Sequence, residues 1–198
     1  MSAEKTIGLL GGSFNPVHTG HMILASFLSQ YAGLDEVWLL LSPLNPLKPN
    51  PDELLPDMTR LRMLEIATRN AKGIDVCDIE LSMPRPSYTI NTLRLLSNRY
   101  PRRRFKLIIG SDNWRNFDKW RESQSIIDDF GVIIYPRPGY PVGRIFVDNV
   151  DVASAPQCEI SSSFIRSGLA RGKDMNFFLP PGVYDYIRKN HLYERKNQ

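Results

Sequence analysis

Short apolar runs alternate with longer segments of helical periodicity along most of the 198-residue chain. The runs that indicate buried strands are 7–10, 37–41, 74–81, 105–109 and 130–135. The segments with helical spacing are 21–31, 57–71, 89–98, 162–171 and 181–190. Strands separated by helices pair in parallel through right-handed crossovers, and uniformly apolar strands suit a sheet that is covered on both faces. We therefore predict an α/β fold: a Rossmann-like, doubly wound, mostly parallel sheet with helices on both faces.

Length and composition limit the possible classes further. We predict a single domain over 1–198 with a C-terminal helical part at about 160–198, because the chain has no repeat and no linker-like tract. Hydrophobic residues at 42% and charged residues at 23% exclude disorder and coiled coil. The chain start has no long apolar stretch of the secretory type, and Cys77 and Cys158 are too few for a disulfide framework. These features predict a cytoplasmic protein with two free thiols.

The charge balance is mildly basic and suits an anionic partner. The net charge is +4 and the isoelectric point is about 9.1. The densest basic run is 102–104 with Lys106, immediately before a predicted strand. Such runs are usually solvated loop residues, so we expect neither nucleic acid nor membrane as a partner. No apolar run is long enough to cross a bilayer, and the sequence leaves a homo-oligomer open.

A glycine- and histidine-bearing segment follows the first predicted strand. Gly11 and Gly12 allow the backbone to approach a ligand closely, and Thr19 is the predicted N-cap of the next helix. The free amides at such a helix start favour phosphate, and His18 and His21 are spaced closely enough to contact one anion. The segment matches neither the P-loop nor the dinucleotide fingerprint. No acidic or cysteine ligand lies nearby in sequence, so we predict no metal site here.

A serine-rich helix start near residue 160 is the second candidate anion site. Ser161 and Ser162 cap a helix and leave amides free, while Arg166 lies one turn into that helix. A planar guanidinium could hold a phosphate from the side. Together with the first segment, this pattern predicts two sides of one triphosphate site.

The loop 43–56 is longer than most connections and rich in proline. It is either a lid or substrate loop, or a plain surface excursion, and the sequence leaves both open.

Two segments resemble the signatures of the nucleotidylyltransferase superfamily. Residues 11–21 contain its His-x-Gly-His core, and residues 160–166 resemble its second signature, Ile-Ser-Ser-Thr-x-Ile-Arg, with Ser163 in place of threonine. Within the superfamily, the chain resembles the bacterial nicotinate-nucleotide adenylyltransferases from about Ile7 to Tyr193. The further pieces that support this branch are 45–48, 87–93, 108–112, 137–140 and 179–187.

The resemblance implies transfer of AMP from ATP to nicotinate mononucleotide, with nicotinate adenine dinucleotide and pyrophosphate as products, in NAD synthesis. It implies Mg²⁺ bound with ATP, and His18 and His21 as catalytic residues at the α- and β-phosphates. The residues implied to bind ATP are Gly11, Gly12, Ser13, Phe14, His18, Gly20, His21, Gly110, Asp112, Ile160, Ser161, Ser162 and Arg166.

The resemblance also implies an acceptor site. Trp120 would stack on the pyridine ring, and the main-chain amides of Thr89 and Arg121 would hold the nicotinate carboxylate. Such donors favour the acid over the amide, because a carboxamide also presents an NH₂ group that needs an acceptor. The implied acceptor-binding residues are Asn45, Lys48, Ser87, Tyr88, Thr89, Asp112, Trp120 and Arg121.

The chain departs from the family pattern at three positions, and other functions stay open. Asn15 stands where many relatives have aspartate, Leu47 where many have histidine, and Arg121 where tyrosine is common. The nearest alternative is another adenylyltransferase of the superfamily, with nicotinamide mononucleotide or phosphopantetheine as acceptor. More distant ones are a basic nucleic-acid-binding module and a fragment of a class I aminoacyl-tRNA synthetase, whose Lys-Met-Ser-Lys-Ser loop is absent.

Overall fold

A computed structural model describes residues 4–43 and 54–194, whose strands form one parallel sheet. The strands are β1 (Lys5–Gly12), β2 (Glu36–Leu41), β3 (Ile74–Cys77), β4 (Arg103–Gly110), β5 (Val132–Tyr135) and β6 (Val150–Val152). Their order across the sheet is β3-β2-β1-β4-β5-β6, and every neighbouring pair is parallel. This is the strand order of the doubly wound dinucleotide-binding fold.

Seven α-helices connect or follow these strands in the described ranges. They are α1 (Thr19–Tyr31), α2 (Asp57–Thr68), α3 (Thr89–Arg99), α4 (Ser111–Trp114), α5 (Ser123–Asp129), α6 (Ser162–Ala170) and α7 (Val183–Lys189). Short 3₁₀ turns lie at Ile79–Ser82, Phe117–Lys119 and Asn176–Phe178.

Both faces of the sheet are covered, because alternate strand residues pack into two separate cores. In β2, Leu39 and Leu41 join a core with α1, α2, α6 and α7. Trp38 and Leu40, on the opposite face, join a second core with α3 and α5. The predicted α/β class and parallel, doubly covered sheet are therefore confirmed.

Two predicted strands have different bounds in the structure, and one further strand was not predicted. The predicted strand 74–81 ends at Cys77 and continues as a 3₁₀ turn, because β3 is an edge strand that pairs only with four residues of β2. The fifth predicted strand begins at Val132, since Gly131 has a positive φ of 81°. Strand β6 was not predicted; two of its three residues are exposed, so it has no apolar run.

The sheet places a crevice between β1 and β4, where the strand order reverses direction. Gly12 ends β1 and Gly110 ends β4. In open parallel sheets, ligands bind outside the carboxyl ends of the strands at this switch point. None of the described helices combines the length and apolar character that crossing a bilayer requires.

Candidate active site

The β1–α1 turn, defined here as residues 11–21 and so including the first residues of α1, runs over the carboxyl end of the sheet. Phe14 adopts a left-handed conformation at φ 43°, and its ring packs under the turn. A Cβ at Gly12 would lie 3.0 Å from that ring, so a side chain there would crowd the turn. The N-cap of α1 is His18, one residue before the predicted Thr19, because the chain is still extended at His18. The turn therefore presents its glycine and serine residues to the crevice, and His18 is buried.

The two histidines of the turn stack on each other. Their ring centroids are 3.7 Å apart and their planes differ by 26°. The backbone N–H of His18 donates to Nδ1 of His21 at 3.2 Å. A ring nitrogen that accepts a hydrogen bond is unprotonated, so the proton of neutral His21 lies on Nε2. Phe14 contacts the same ring edge-on at 5.0 Å and fixes its orientation.

His18 is held neutral near pH 7. Its side chain is almost fully buried, and burial, with a smaller contribution from the charge of Arg137, lowers its pKa to about 4. Its Nδ1 atom is buried and has no hydrogen-bond partner among the described residues. Buried polar atoms without a partner are rare in folded proteins, so His18 is a candidate for a functional role rather than a packing role.

The start of α6 packs directly against the β1–α1 turn. Ser161 is the N-cap of α6 and accepts a hydrogen bond from the amide of Phe164 at 3.1 Å. Ser162 Oγ donates to the Pro16 carbonyl at 2.9 Å, and Arg166 Nη1 donates to the Asn15 carbonyl at 3.0 Å. The structure thus brings together the two segments that the sequence predicted as one site. It also shows these two side chains bonded to the backbone of the turn.

One pocket joins the predicted ATP side to the predicted acceptor side. Its lining at the sheet edge includes Gly11, Gly12, Ser13 and Gly110, and at the far end Ser87, Tyr88, Thr89, Trp120 and Arg121. His18, His21, Asp112 and α6 do not line this pocket: the histidines lie in the turn itself, α6 packs against the turn, and Asp112 follows β4.

At the far end of the pocket, aromatic surface meets a helix start. Trp120 is half-buried and packs on Phe117 with a centroid distance of 5.3 Å, so one part of its ring stays accessible. Thr89 is the first residue of α3, and its amide therefore lies outside the hydrogen-bond ladder of that helix. The Arg121 guanidinium lies 4.8 Å from the centre of the Tyr88 ring. This end suits a flat ring bearing an anionic group.

Other predicted site residues have supporting positions or are not described. A Cβ at Gly20 would lie 3.1 Å from His18 Nδ1 and 3.3 Å from Cys158 Sγ, so glycine allows these groups to approach. Ile160 is half-buried against the core, where its side chain faces other apolar groups. Asn45 and Lys48 lie outside the described residues, as does most of the loop 43–56.

Arg137 is a site residue to which the sequence analysis assigned no role. Its Nε lies 3.5 Å from Asp112 Oδ1, its amide donates to Ser111 Oγ at 2.9 Å, and its charge acts on His18. A Cβ at Gly110 would displace the Asp112 carboxylate, so glycine at the end of β4 leaves room for that side chain. The sequence signal that could have identified Arg137 is the resemblance of segment 137–140 to the family.

No metal-ligating cluster is present in the described part of the chain. No group of three or more histidine, cysteine, aspartate or glutamate side chains is arranged there to hold an ion. Any divalent cation at this site must therefore take most of its ligands from substrate phosphates and water.

Residues 9–168 match a family model described as cytidylyltransferase-like. The chain is 49% identical over 188 residues to the "Probable nicotinate-nucleotide adenylyltransferase" of Bacteroides fragilis, covering 94% of this chain and 92% of that protein. It is also 49% identical to the protein of the same name from Bacteroides thetaiotaomicron, over 95% and 93% of the two chains.

Solved structures give the same fold. A Plasmodium falciparum nicotinic acid mononucleotide adenylyltransferase complexed with NaAD superposes with a TM-score of 0.77 at 23% identity, covering 96% of this chain and 97% of that one. A structure of that protein complexed with APC gives the same values.

Proposed function

The chain belongs to the cytidylyltransferase-like family and, within it, to the nicotinate-nucleotide adenylyltransferases, and from that premise we propose how its site performs their reaction. The enzyme transfers AMP from ATP to nicotinate mononucleotide in NAD synthesis. The products are nicotinate adenine dinucleotide and pyrophosphate.

The chemistry is a single in-line displacement at phosphorus. A phosphate oxygen of the mononucleotide forms a bond to the α-phosphorus of ATP, and the bond from that phosphorus to the α,β-bridging oxygen breaks. The electron pair leaves with pyrophosphate. The attacking oxygen is already anionic near neutral pH, so no general base is needed. The site must instead align the two phosphates and stabilise the charge that develops on the leaving group.

The β1–α1 turn supplies groups for that charge. The Nε2–H of His21 and the imidazole of the adjacent His18 are the proposed donors for α- and β-phosphate oxygens. Arg137, two residues after β5, and Arg166 of α6 add fixed positive charge. A neutral His18 suits this arrangement, because two stacked imidazolium cations would repel each other at this separation.

The far end of the pocket receives the nicotinate ring. Trp120 offers an aromatic face, and the amides of Thr89 and Arg121 are donors for the carboxylate. The positive charge of Arg121 also lies at this end, where its guanidinium contacts the face of the Tyr88 ring. Both features favour the acid over nicotinamide mononucleotide.

Mg²⁺ accompanies ATP in this proposal and neutralises charge on the phosphates. The donor set fits such an ion, because Mg²⁺ commonly keeps several waters and binds through substrate phosphates with few protein ligands. The described residues contain no cluster that would enclose a metal by protein atoms alone.

The basic run does not favour a nucleic-acid partner. Arg103 lies over the Trp38 and Tyr100 rings at 4.9 and 5.1 Å. Lys106 pairs with Asp151 at 2.8 Å, so both charges already have contacts within the protein. We propose small-molecule substrates alone and a cytoplasmic location, consistent with two free cysteines.

The observation that supports the proposal most strongly is the single pocket shared by the glycines of the turn and Trp120. The test incubates the enzyme with ATP, Mg²⁺ and one acceptor: nicotinate mononucleotide, nicotinamide mononucleotide or phosphopantetheine. We expect pyrophosphate and nicotinate adenine dinucleotide, with kcat/KM highest for the nicotinate acceptor. Pyrophosphate release with phosphopantetheine alone would contradict the assignment, and a preference for the amide would contradict the carboxylate site.

A further inference from the structure

Arg60 of α2 is fully buried, and all of its hydrogen-bond donors are used. A guanidinium has five N–H groups, and here five acceptors meet them at 2.5 to 3.1 Å. The acceptors are the carbonyl oxygens of Ser13, Ser42, Pro43 and Leu55 and Oδ1 of Asp57. Burial lowers the pKa of Arg60, yet an arginine stays protonated in proteins, so a cation lies beneath the site.

These carbonyl groups belong to separate segments around the pocket. Ser13, in the β1–α1 turn, and Ser42, directly after β2, both line the pocket. Pro43 follows Ser42, and Leu55 lies shortly before α2. The Leu55 amide additionally donates to the Asn15 side chain of the turn at 3.3 Å. One buried side chain therefore ties the turn to the end of β2 and to the start of α2.

Only arginine has the geometry for these contacts. Its planar fork directs donors to several carbonyl groups at once, whereas lysine has three donors on a single nitrogen. Four of the five partners are main-chain oxygens, so these contacts do not depend on the side chains of the partner residues. Losing the fork would leave buried carbonyl groups without donors and would release the turn from the end of β2 and the start of α2.

We propose that Arg60 is a positioning residue for the transfer reaction: it fixes the β1–α1 turn relative to the end of β2 and the start of α2, and so holds Ser13 and Ser42 in place in the pocket where the two substrates must align. The proposal rests on the function assigned above. Arg60 does not touch the reacting atoms, and it acts through the backbone of Ser13, Pro43 and Leu55. A misplacement of about 1 Å at a reacting centre can cost roughly 100-fold in rate.

The test compares Arg60→Lys with Arg62→Lys, which changes an exposed arginine of the same helix whose partner is Glu65. Activity is measured well below the melting temperature, with the folded fraction determined by circular dichroism. We expect kcat per folded enzyme to fall roughly 10- to 100-fold in Arg60→Lys, with the KM for ATP changed far less, and Arg62→Lys to match the wild type. A lower melting temperature with kcat per folded enzyme within twofold of the wild type would overturn the proposal.

Asp57→Asn provides a second variant if Arg60→Lys does not fold. Asp57 is partly exposed in the first turn of α2, and its carboxylate accepts a hydrogen bond from Arg60. Asparagine removes the charge of Asp57 and weakens this contact, while the Arg60 side chain is kept. We expect kcat to fall several-fold in this variant. An unchanged kcat in Asp57→Asn would then count against the positioning role.

Amide hydrogen exchange separates this proposal from the assigned reaction. Exchange in peptides covering 11–15 and the residues flanking 44–53 should rise together in the Arg60 or Asp57 variant, and not in Arg62→Lys. If the wild type turned over none of the acceptors, the assigned function would fail while this readout still decided the coupling. Faster exchange at only one of the two segments, or at neither, would refute the coupling.

Discussion

Two adjacent imidazoles in the β1–α1 turn have different chemistry, although both belong to the same four-residue motif. His21 accepts a backbone hydrogen bond and presents Nε2–H. His18 is buried, and its Nδ1 has no partner in the described structure. Their environments, rather than their residue type, therefore decide which hydrogen each ring can offer to a phosphate.

Removing the His18 imidazole should slow the reaction strongly. We expect His18→Ala to lower kcat on the order of 100-fold or more, by analogy with the loss of an oxyanion donor. The matched control is His191→Ala, since His191 is exposed after α7 and pairs with Glu194. Steady-state rates of pyrophosphate release measure both variants. Near-normal turnover in His18→Ala would contradict the phosphate role.

The lowered pKa of His18 also makes a prediction for stability against pH. Its pKa is about 4 in the folded protein and about 6.5 when unfolded, so below pH 6.5 the unfolded chain binds the proton first. Folding free energy is therefore lost as pH falls from 6.5 towards 4. Urea unfolding at pH 7 and pH 4.5 should show the wild type losing about 2 kcal/mol more than His18→Gln, from 1.36 kcal/mol per pKa unit. Equal losses in the two proteins would argue against a buried neutral His18.

The two cysteines should react very differently with a thiol reagent. Cys77 is buried and its pKa is raised to about 11, whereas Cys158 is partly exposed, with Sγ close to Gly20. N-ethylmaleimide should therefore label Cys158 first, inactivate the enzyme, and be slowed by ATP. Peptide mass spectrometry gives the labelled site. Cys158→Ser should resist inactivation, and loss of activity in that variant at the wild-type rate would refute the assignment.

At the scale of elements, the β1–α1 turn is held by parts of the chain that are distant in sequence. The start of α6 binds it through Ser162 and Arg166, and α2 binds it through Arg60. The end of the chain binds it as well, because the Tyr193 hydroxyl donates to Asn15 Oδ1 at 2.7 Å. The amide of Asn15 offers this acceptor oxygen without placing a carboxylate charge near the phosphates.

The hydrogen bond from the C-terminal segment to Asn15 is lost when a single atom, the hydroxyl oxygen of Tyr193, is removed. Tyr193→Phe should cost about 1 kcal/mol of stability, because Asn15 loses a buried hydrogen bond, and should lower kcat modestly since the turn is less constrained. Tyr31→Phe is the control, as Tyr31 is exposed on α1. Thermal unfolding and steady-state kinetics give both readouts. A Tyr193→Phe protein identical to wild type in both would show that the contact has no role.

At the scale of the whole molecule, one sheet serves two cores. Strand residues alternate between the face covered by α1, α2, α6 and α7 and the face covered by α3 and α5. The same sheet edge ends in the two glycines that open the crevice, Gly12 and Gly110. A substitution that weakens packing in either core should therefore lower the stability of the whole fold.

Truncating one buried side chain in each core tests whether the two faces of the sheet unfold together. Leu28→Ala in α1 and Leu96→Ala in α3 each remove a buried side chain from a different core, and each should destabilise by roughly 2–5 kcal/mol. Because the sheet is shared, each variant should still unfold in a single transition by fluorescence and circular dichroism. Two separate transitions would show that the faces unfold independently. The effects should add in the double variant, since the sites lie on opposite faces of the sheet.

Local patterns in the chain were enough to predict the class of fold and most of its elements. Apolar runs are themselves the consequence of burial on both faces, so β2 and β4 were recognisable without coordinates. The same holds for the helix start at Ser161, whose side chain satisfies an amide three residues away. Strand β6 was missed because its residues are mostly exposed and pair only through the backbone.

What the sequence by itself determined is the set of groups available for the reaction: two glycines after the first strand, paired histidines, a serine-capped helix and a tryptophan after the fourth strand. Only the tertiary structure decided how they are held. The bonds from Arg60 to Ser13, Ser42 and Pro43, the approach of Arg137 to Asp112 and His18, and the bond from Tyr193 to Asn15 join residues far apart in sequence. Such contacts leave no local sequence pattern. They depend on how the sheet brings distant segments together, and the residues next to each contact do not encode that arrangement.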